Sequence, residues 1–261
     1  MPEKVTAPKI RAMKQRSEPI VCITAYDAYF GRLMDEAGVD LVLVGDSLGN
    51  VLLGHETTIP VTLETMAHHT AATRRGVVRA MLCADLPFGS YQSSVSQCVD
   101  SAVTLMRAGA EGVKLEGEYF AEVAALVKAG IPVLGHLGMT PQSVNKFGGP
   151  RVQGKGGGGN ALIDAAKNLE DAGAFGIVLE LIPADLASDI TAALSIPTIG
   201  IGAGPCCDGQ IQVMHDILGL SDRQFKHARR FVDGEGMLLE GLRQYTRAVR
   251  GRAFPTEENS F

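Results

Sequence analysis

The chain has 261 residues, of which 46% are hydrophobic and 20% charged, and its formal net charge is −5. This composition is typical of a globular protein with a large core and excludes a disordered chain. Lysine and arginine are scattered, so no basic stripe indicates nucleic acid binding. No apolar run reaches the roughly 18 residues of a membrane span, and no apolar signal segment is evident. We expect a cytoplasmic protein without membrane or nucleic acid partners.

The cysteine pattern indicates a reducing environment. The five cysteines are an odd number and include no Cys-x-x-Cys pair, which argues against a zinc site or a redox motif. They are interpreted either as small buried hydrophobic side chains or, in one case, as a catalytic thiol. The first interpretation is favoured, because Cys22 and Cys83 lie within predicted strands. No chemistry is assigned to any of them.

Strand and helix patterns alternate along most of the chain. Residues 1–17 are polar except for a short amphipathic pattern at Ile10, Met13 and Lys14, which predicts a helical arm or plug. Short apolar runs then predict eight strands, the last with the least regular pattern, at Ile20–Thr24, Leu41–Val44, Val78–Ala84, Gly112–Glu116, Pro132–Leu137, Gly176–Glu180, Pro197–Gly202 and Ile211–His215. A helical period predicts helices at Ala28–Ala37, Thr62–Thr73, Ser93–Ala108, Tyr119–Ala129, Ala161–Ala172, Pro183–Leu194 and Met237–Arg250.

This order favours an α/β fold, a single (β/α)₈ barrel over residues 1–261 with a short N-terminal helical arm. An open doubly wound sheet is the alternative, and it would place ligands at one switch point between strands. Two connections are longer than a simple turn requires. The segment from Leu48 to Pro60 is a candidate lid, and the segment from Gly138 to Asn160, with eight glycines, is a candidate mobile flap.

Four of the predicted strands end in an acid. Their apolar runs stop at Asp46, Asp85, Glu116 and Glu180. Parallel strands bring their carboxyl ends to one face, where ligands bind. The first three acids follow consecutive strands, so their carboxylates would repel one another unless a cation neutralised them. Oxygen ligands without histidine or cysteine suit Mg²⁺. In the alternative interpretation, each acid caps the next helix or pairs with a lysine.

Three more side chains are predicted at the same rim. Lys114 precedes Glu116 by two residues, so both point into the barrel, where the lysine binds a substrate oxyanion or forms a structural ion pair. His136 ends the fifth strand between glycines that give a ligand close approach, although a lone histidine can be purely structural. Glu180 precedes apolar residues 181–183 and suits a general base or acid, with helix capping as the alternative.

Seven segments, in order along the chain, carry a family resemblance. They are Ile23–Asp27, Val44–Gly49, Ala84–Phe88, Val113–Gly117, Gly135–Gln142, Gly200–Gly204 and Met214–Asp216. On these motifs the chain resembles the 3-methyl-2-oxobutanoate hydroxymethyltransferases, also called ketopantoate hydroxymethyltransferases, of pantothenate biosynthesis. The glycine run Gly156–Gly159 and Cys206 depart from the family pattern. The resemblance implies a TIM barrel, Mg²⁺, the one-carbon donor 5,10-methylenetetrahydrofolate, and a homo-oligomer, with a decamer suggested by the family.

The resemblance also implies a role for each site residue. The implied metal ligands, direct or through water, are Asp46, Asp85 and Glu116, and the implied substrate-binding residues are Asp46, Ser47, Asp85, Lys114 and His136. Glu180 would accept the proton that 3-methyl-2-oxobutanoate loses as it forms a Mg²⁺-stabilised enolate. The enolate would then attack the methylene group of the folate, and the product would be 2-dehydropantoate.

Two rival functions are compatible with the same carboxylate rim. The first is a Mg²⁺-dependent 2-oxo acid lyase or phosphonomutase of the isocitrate-lyase type, although such lyases commonly use a cysteine loop and none is evident. The second is a small-molecule-binding barrel without turnover, in which Glu180 would be dispensable. A single activity assay separates the three.

Overall fold

The structure is a computed structural model that describes residues 3–222 and 224–261. The chain divides into two compact units, Met1–Val213 and Met214–Phe261. The first unit contains all eight strands. Whether residues 1–261 form one domain is not tested by this division, so the single domain stays a prediction.

The first unit is a closed barrel of eight parallel strands. The strands are β1 (Ile20–Thr24), β2 (Leu41–Val44), β3 (Met81–Asp85), β4 (Gly112–Lys114), β5 (Val133–Gly138), β6 (Gly176–Glu180), β7 (Thr198–Ile201) and β8 (Gly209–Gln212). Each strand pairs with the next along the chain, and β8 pairs with β1 to close the sheet. The predicted (β/α)₈ barrel is confirmed, and the open sheet is excluded.

Helices connect most of the strands. The first unit contains α1 (Ala7–Gln15), α2 (Ala28–Glu36), α3 (Leu48–Val51), α4 (Leu63–Arg74), α5 (Val95–Arg107), α6 (Phe120–Lys128), α7 (Val144–Phe147), α8 (Gly159–Asp171) and α9 (Ala184–Ala193). The second unit contains α10 (Met214–Ile217) and α11 (Gly234–Arg250). In the part of the chain that the structure describes, no helix is long and apolar enough to cross a membrane.

Most of the strands are buried on both faces because helices cover one face and the barrel core fills the other, whereas β1 and β8 each expose one residue. Every residue of β2 and β3 is buried, which explains their uninterrupted apolar sequences. The register pairs Val44 with Ala84 and Asp85 with Lys114, so these strands end at nearly the same level. The residues that follow them are therefore brought together at one rim.

Helix α1 closes the N-terminal end of the barrel, opposite to the rim at which the strands end. Its buried residues Ile10 and Met13 belong to one apolar cluster with Ile20, Leu41 and Met81, which begin the first three strands. The amphipathic pattern of the N-terminal segment is thus a plug at the N-terminal end of the strands, as predicted. The carboxyl ends of the strands, where the acids lie, are not covered by this helix.

The predicted position of the eighth strand was wrong. We expected Ile211–His215, whereas β8 is Gly209–Gln212, and His215 belongs to α10. The strand begins at a glycine because a Cβ atom on Gly209 would lie 2.5 Å from the carbonyl oxygen of Ile20. Glycine ordinarily indicates a turn, so the sequence pattern concealed the start of this strand.

The second unit is dominated by the amphipathic helix α11. It begins three residues before the predicted Met237, and the Asp233 carboxylate accepts a hydrogen bond from the backbone N–H of Gly236 at its start. None of its residues is buried. Its large apolar side chains, including Leu238 and Leu242, are exposed.

Candidate active site

The three predicted carboxylates lie buried at the carboxyl ends of β2, β3 and β4. Asp85 is the last residue of β3, and Asp46 and Glu116 each follow their strand by two residues. Their exposed fractions are 4%, 3% and 4% for Asp46, Asp85 and Glu116. The backbone N–H of Asp46 donates to Asp85 Oδ2 at 3.0 Å, which ties two of the acids directly together. The prediction that these positions share one rim agrees with the structure.

Lys114 is the buried cation of this cluster. Its Nζ lies 3.1 Å from Asp85 Oδ1 and 3.2 Å from His136 Nδ1. Burial alone would lower the pKa of Lys114, but Asp85, Glu116 and Asp46 together raise it, so the ammonium stays charged. The lysine therefore partly compensates the acids, as the structural interpretation requires, and still presents its charge to the rim.

The acids carry more negative charge than one lysine can neutralise. Burial, reinforced by the nearby Asp85, raises the pKa of Asp46 to about 7. Burial also raises the pKa of Glu116 well above its usual range, against the opposing effect of Lys114. Without a further cation, the cluster therefore retains protons near neutral pH.

His136 connects this cluster to Glu180. Its Nδ1 faces the Lys114 ammonium, which can only donate, so Nδ1 accepts and Nε2 carries the proton. Burial and the charge of Lys114 lower the pKa of His136, so the ring is neutral at pH 7. Nε2 lies 3.2 Å from Glu180 Oε2, but the two atoms are not aligned as a hydrogen bond.

The position of Glu180 depends on an unusual backbone. Its carbonyl oxygen accepts from the backbone N–H of Met139 at 2.8 Å. Gly138 has a φ of +96°, and a Cβ atom there would lie 2.2 Å from that same oxygen. Leu181, the next residue, has a φ of 45°, which is rare for a residue with a branched side chain. Such strain is often found at functional positions.

Three hydroxyl groups, linked by hydrogen bonds, lead from the end of β1 to the rim. Thr24 Oγ1 and the Tyr26 hydroxyl are 2.8 Å apart, and the same hydroxyl is 2.9 Å from Ser47 Oγ. Ser47 follows Asp46, so its side chain joins the predicted site residues. Sequence reasoning assigned no chemical role to Tyr26, although this residue lies within one of the family-like motifs.

Sequence reasoning also missed Tyr91 and Gln142. Both are buried, and the Tyr91 hydroxyl donates to Gln142 Oε1 at 2.8 Å. The side-chain amide of Gln142 reaches Asp46, and its backbone N–H reaches Glu116. Gln142 stands at the end of the Gly135–Gln142 motif, which was the one signal available in the sequence.

The cluster fits a hard divalent cation in charge and in donor atoms. The oxygens of Asp46, Asp85 and Glu116 are of the type that Mg²⁺ prefers. Asp85 Oδ1 is buried without an aligned hydrogen bond. In the described residues, no group of three or more His, Cys, Asp or Glu side chains is arranged to hold a metal ion as it stands. The site therefore fits Mg²⁺ in the type of its donor atoms and in its charge, and the metal ligands stay a prediction.

Comparison with solved structures places the chain in the (β/α)₈ barrel class. A phosphonopyruvate hydrolase, solved in complex with oxalate and Mg⁺⁺, superposes with a TM-score of 0.64 and 12% identity. The match covers 98% of this chain and 93% of that one. At this level of identity the likeness shows the fold alone.

Sequence comparison then identifies the family. The family model of ketopantoate hydroxymethyltransferase matches residues 4–257. The 3-methyl-2-oxobutanoate hydroxymethyltransferase of Desulforapulum autotrophicum is 49% identical over 265 residues, covering 100% of both chains. The enzyme of the same name from Thermotoga maritima is 50% identical over 257 residues, covering 97% of this chain and 95% of its own. The chain therefore belongs to the ketopantoate hydroxymethyltransferase family and is an enzyme.

Proposed function

We propose that this enzyme transfers a hydroxymethyl group from 5,10-methylenetetrahydrofolate to 3-methyl-2-oxobutanoate and so forms 2-dehydropantoate for pantothenate biosynthesis. The observation that carries the proposal is the single buried rim on which Lys114, His136 and Glu180 adjoin the three carboxylates. Relatives of about 50% identity bear the name of this activity. The lyase and phosphonomutase interpretation is supported only by fold.

The oxo acid presents a carboxylate and a keto oxygen to the rim. The Lys114 ammonium and the Ser47 hydroxyl are the donors we assign to these oxygens. Ser47 is suited to this because its Oγ is held 2.9 Å from the Tyr26 hydroxyl, which is itself 2.8 Å from Thr24 Oγ1. His136 Nε2 lies 3.2 Å from Glu180 Oε2, and the predicted contact of His136 with the oxo acid stays a prediction.

Asp46, Asp85 and Glu116 are the residues that would hold Mg²⁺, directly or through water. A divalent cation held there would withdraw electrons from the oxygens of the oxo acid and favour its enolate. Its positive charge would also oppose the two effects that raise the pKa of Asp46, namely burial and the nearby Asp85.

Glu180 is the proposed base. Its carboxylate stands at the carboxyl end of β6, with 19% of its side chain exposed, so it can reach a bound substrate. It takes the proton from the carbon next to the keto group. That carbon then bonds to the methylene carbon of the folate as one of the two C–N bonds of that methylene group breaks. Water replaces the second C–N bond and supplies the hydroxyl group of the product, and the two nitrogens of the released tetrahydrofolate take up the protons from the substrate carbon and from water. Lys114 stabilises negative charge on the substrate oxygen throughout.

The long connection after β5 is proposed to cover the folate. It carries Lys146, Arg151 and Lys155, and none of its residues is acidic. The backbone N–H of Gln153 donates to the carbonyl oxygen of Leu181 at 2.9 Å, which holds the connection beside Glu180. Cations at this position would favour the carboxylates of a folate tail.

We also propose a cytoplasmic location and an assembly of identical chains. All five cysteines are free, which suits a reducing compartment. The exposed apolar side chains of α11 are the surface we assign to contact with a second copy, because most soluble oligomers are assemblies of one chain.

Formation of 2-dehydropantoate tests the proposed activity directly. Purified enzyme with 3-methyl-2-oxobutanoate, 5,10-methylenetetrahydrofolate and Mg²⁺ should yield 2-dehydropantoate, measured by chromatography and mass. Omission of either substrate should abolish the product. Cleavage of 2-oxo acids without folate would instead support the lyase interpretation.

A further inference from the structure

Gln142 lies in the middle of the acid cluster although its side chain carries no charge. It belongs to a 3₁₀ turn, Pro141–Ser143, and only 5% of it is exposed. Its side-chain amide nitrogen donates to Asp46 Oδ2 at 2.8 Å and to the carbonyl oxygen of Leu86 at 2.9 Å. Its backbone N–H donates to Glu116 Oε2 at 2.9 Å. One residue therefore contacts two of the three acids.

The partners of Gln142 fix the orientation of its amide. The carbonyl of Leu86 can only accept a hydrogen bond, so the atom beside it must be the amide nitrogen. On the other side, the Tyr91 hydroxyl donates to the amide oxygen at 2.8 Å, and Gln92 Nε2 lies 3.2 Å from it. Rotation of the amide would break hydrogen bonds at both ends.

Each acid of the cluster has one oxygen held by an N–H group. The amide of Gln142 holds Asp46 Oδ2, and its backbone holds Glu116 Oε2. The backbone N–H of Asp46 holds Asp85 Oδ2. An uncharged donor suits this task, because it orients the carboxylates without supplying the positive charge that would compete with a metal ion.

We propose that Gln142 is a positioning residue, which orients Asp46 and Glu116 so that their second oxygens face the divalent cation, and that Tyr91 holds the amide in the orientation this requires. The inference rests on the proposed metal site. Loss of such outer partners of a metal ligand typically lowers metal affinity by about 10- to 100-fold.

Calorimetric titration of metal-free protein with MgCl₂ tests the role of Gln142. Gln142→Met keeps the length of the side chain and the backbone N–H to Glu116 but removes the amide. Its dissociation constant for Mg²⁺ should rise about 10- to 100-fold. Tyr91→Phe keeps the ring and should raise the constant about 2- to 10-fold, as expected for the loss of one neutral hydrogen bond.

The matched control is Gln153→Met, in the same connection. Its side-chain amide donates only to the nearby carbonyl of Arg151 among the bonds described, at 3.0 Å. This variant should bind Mg²⁺ as the parent does. The unfolding temperature of each metal-free variant reports separately on packing.

A purely structural role predicts a different result. Gln142→Met would then unfold at a lower temperature yet bind Mg²⁺ with the affinity of the parent, and this would overturn the proposal. If that variant does not fold, Tyr91→Phe decides, and an unchanged dissociation constant overturns the proposal. Failure of the parent itself to bind Mg²⁺ would reject the metal site and this role together, so the two failures are distinguishable.

Discussion

His136 is the residue through which the acid cluster and the proposed base act on each other. Its neutral ring accepts from the Lys114 ammonium through Nδ1, and its Nε2 lies 3.2 Å from Glu180 Oε2. A charged imidazole could not accept from the lysine, so the burial that lowers the pKa of His136 also preserves the arrangement. His136 is thus not an isolated core residue, because it lies between Lys114 and Glu180.

Glu180→Gln should lower turnover by about 10²- to 10⁴-fold, the usual contribution of a general base. The affinity for 3-methyl-2-oxobutanoate should change little, because the donors assigned to its oxygens are Lys114 and Ser47. Steady-state kinetics check this: kcat and kcat/KM should fall together while KM stays near the parent value. A large rise in KM with unchanged kcat would make Glu180 a binding residue.

Asp46→Asn and Asp85→Asn should each weaken Mg²⁺ binding while the fold is kept, because removal of one charge from a crowded cluster does not harm packing. Calorimetric titration measures the affinity, and circular dichroism checks the fold. Parent-like affinity in both variants would contradict the assignment of these acids as ligands.

The stability of the metal-free protein should fall as the pH rises through about 7. The folded state raises the pKa of Asp46 from its usual value to about 7, so it binds the proton more tightly than the unfolded chain does. The resulting stabilisation is fully present below the ordinary pKa of 3.8, is lost progressively as the pH rises to about 7, and changes little above it. Thermal unfolding between pH 5.5 and 8.5 measures the trend, which Mg²⁺ should reduce.

Asp46→Asn should flatten this pH trend, whereas Asp164→Asn, at an exposed helical position, should retain it. If the metal-free parent became more stable between pH 6 and 8, a group other than Asp46 would determine how its stability depends on pH.

At the scale of elements, the barrel followed from the sequence because its strands are apolar, short and bounded by acids or glycines. All four acids lie at the end of a strand or within two residues of it, because each apolar run stops close to its acid. Tyr91 and Gln142 were not identified, because their partners lie 25 to 96 residues away along the chain. Periodicity carries no information on such contacts. The eighth strand was misplaced because Gly209 serves a close backbone approach rather than a turn.

Gly138→Ala should displace the end of β6 and reduce turnover. The new Cβ atom would lie 2.2 Å from the carbonyl oxygen of Glu180, and the φ of +96° adds strain. We expect a loss of about 1 to 3 kcal/mol in the free energy of unfolding from the backbone conformation alone. Denaturant unfolding and kcat measurements check both effects.

Gly130→Ala is the matched control for Gly138→Ala. Gly130 has a φ of +83°, but its added Cβ atom would meet nothing within 4 Å. The Gly130→Ala variant should lose stability through backbone strain and keep the turnover of the parent. If both variants lost turnover equally, the close contact between the Cβ atom at position 138 and the carbonyl oxygen of Glu180 would not explain the loss.

At the scale of the whole molecule, the apolar face of α11 is the feature that a single chain does not explain. Leu238, Leu242, Tyr245 and Val249 recur at helical spacing, and between 43% and 65% of each is exposed. A stripe of this kind usually marks a protein contact. Multi-angle light scattering of the parent should therefore give a multiple of the single-chain mass.

Leu242→Glu places a charge within this stripe and should shift the assembly towards smaller species. Gln244→Glu, on another face of the same helix, should leave the mass unchanged. A parent that is monomeric at micromolar concentration would contradict the homo-oligomer.

Proton exchange of 3-methyl-2-oxobutanoate in D₂O, followed by ¹H NMR without folate, tests the central claim most directly. The account predicts that the signal of the C–H next to the keto group disappears only with both enzyme and Mg²⁺, and that Glu180→Gln slows the loss by about 10²-fold or more. Exchange by Glu180→Gln at the parent rate, or parent exchange that is indifferent to Mg²⁺, would contradict it.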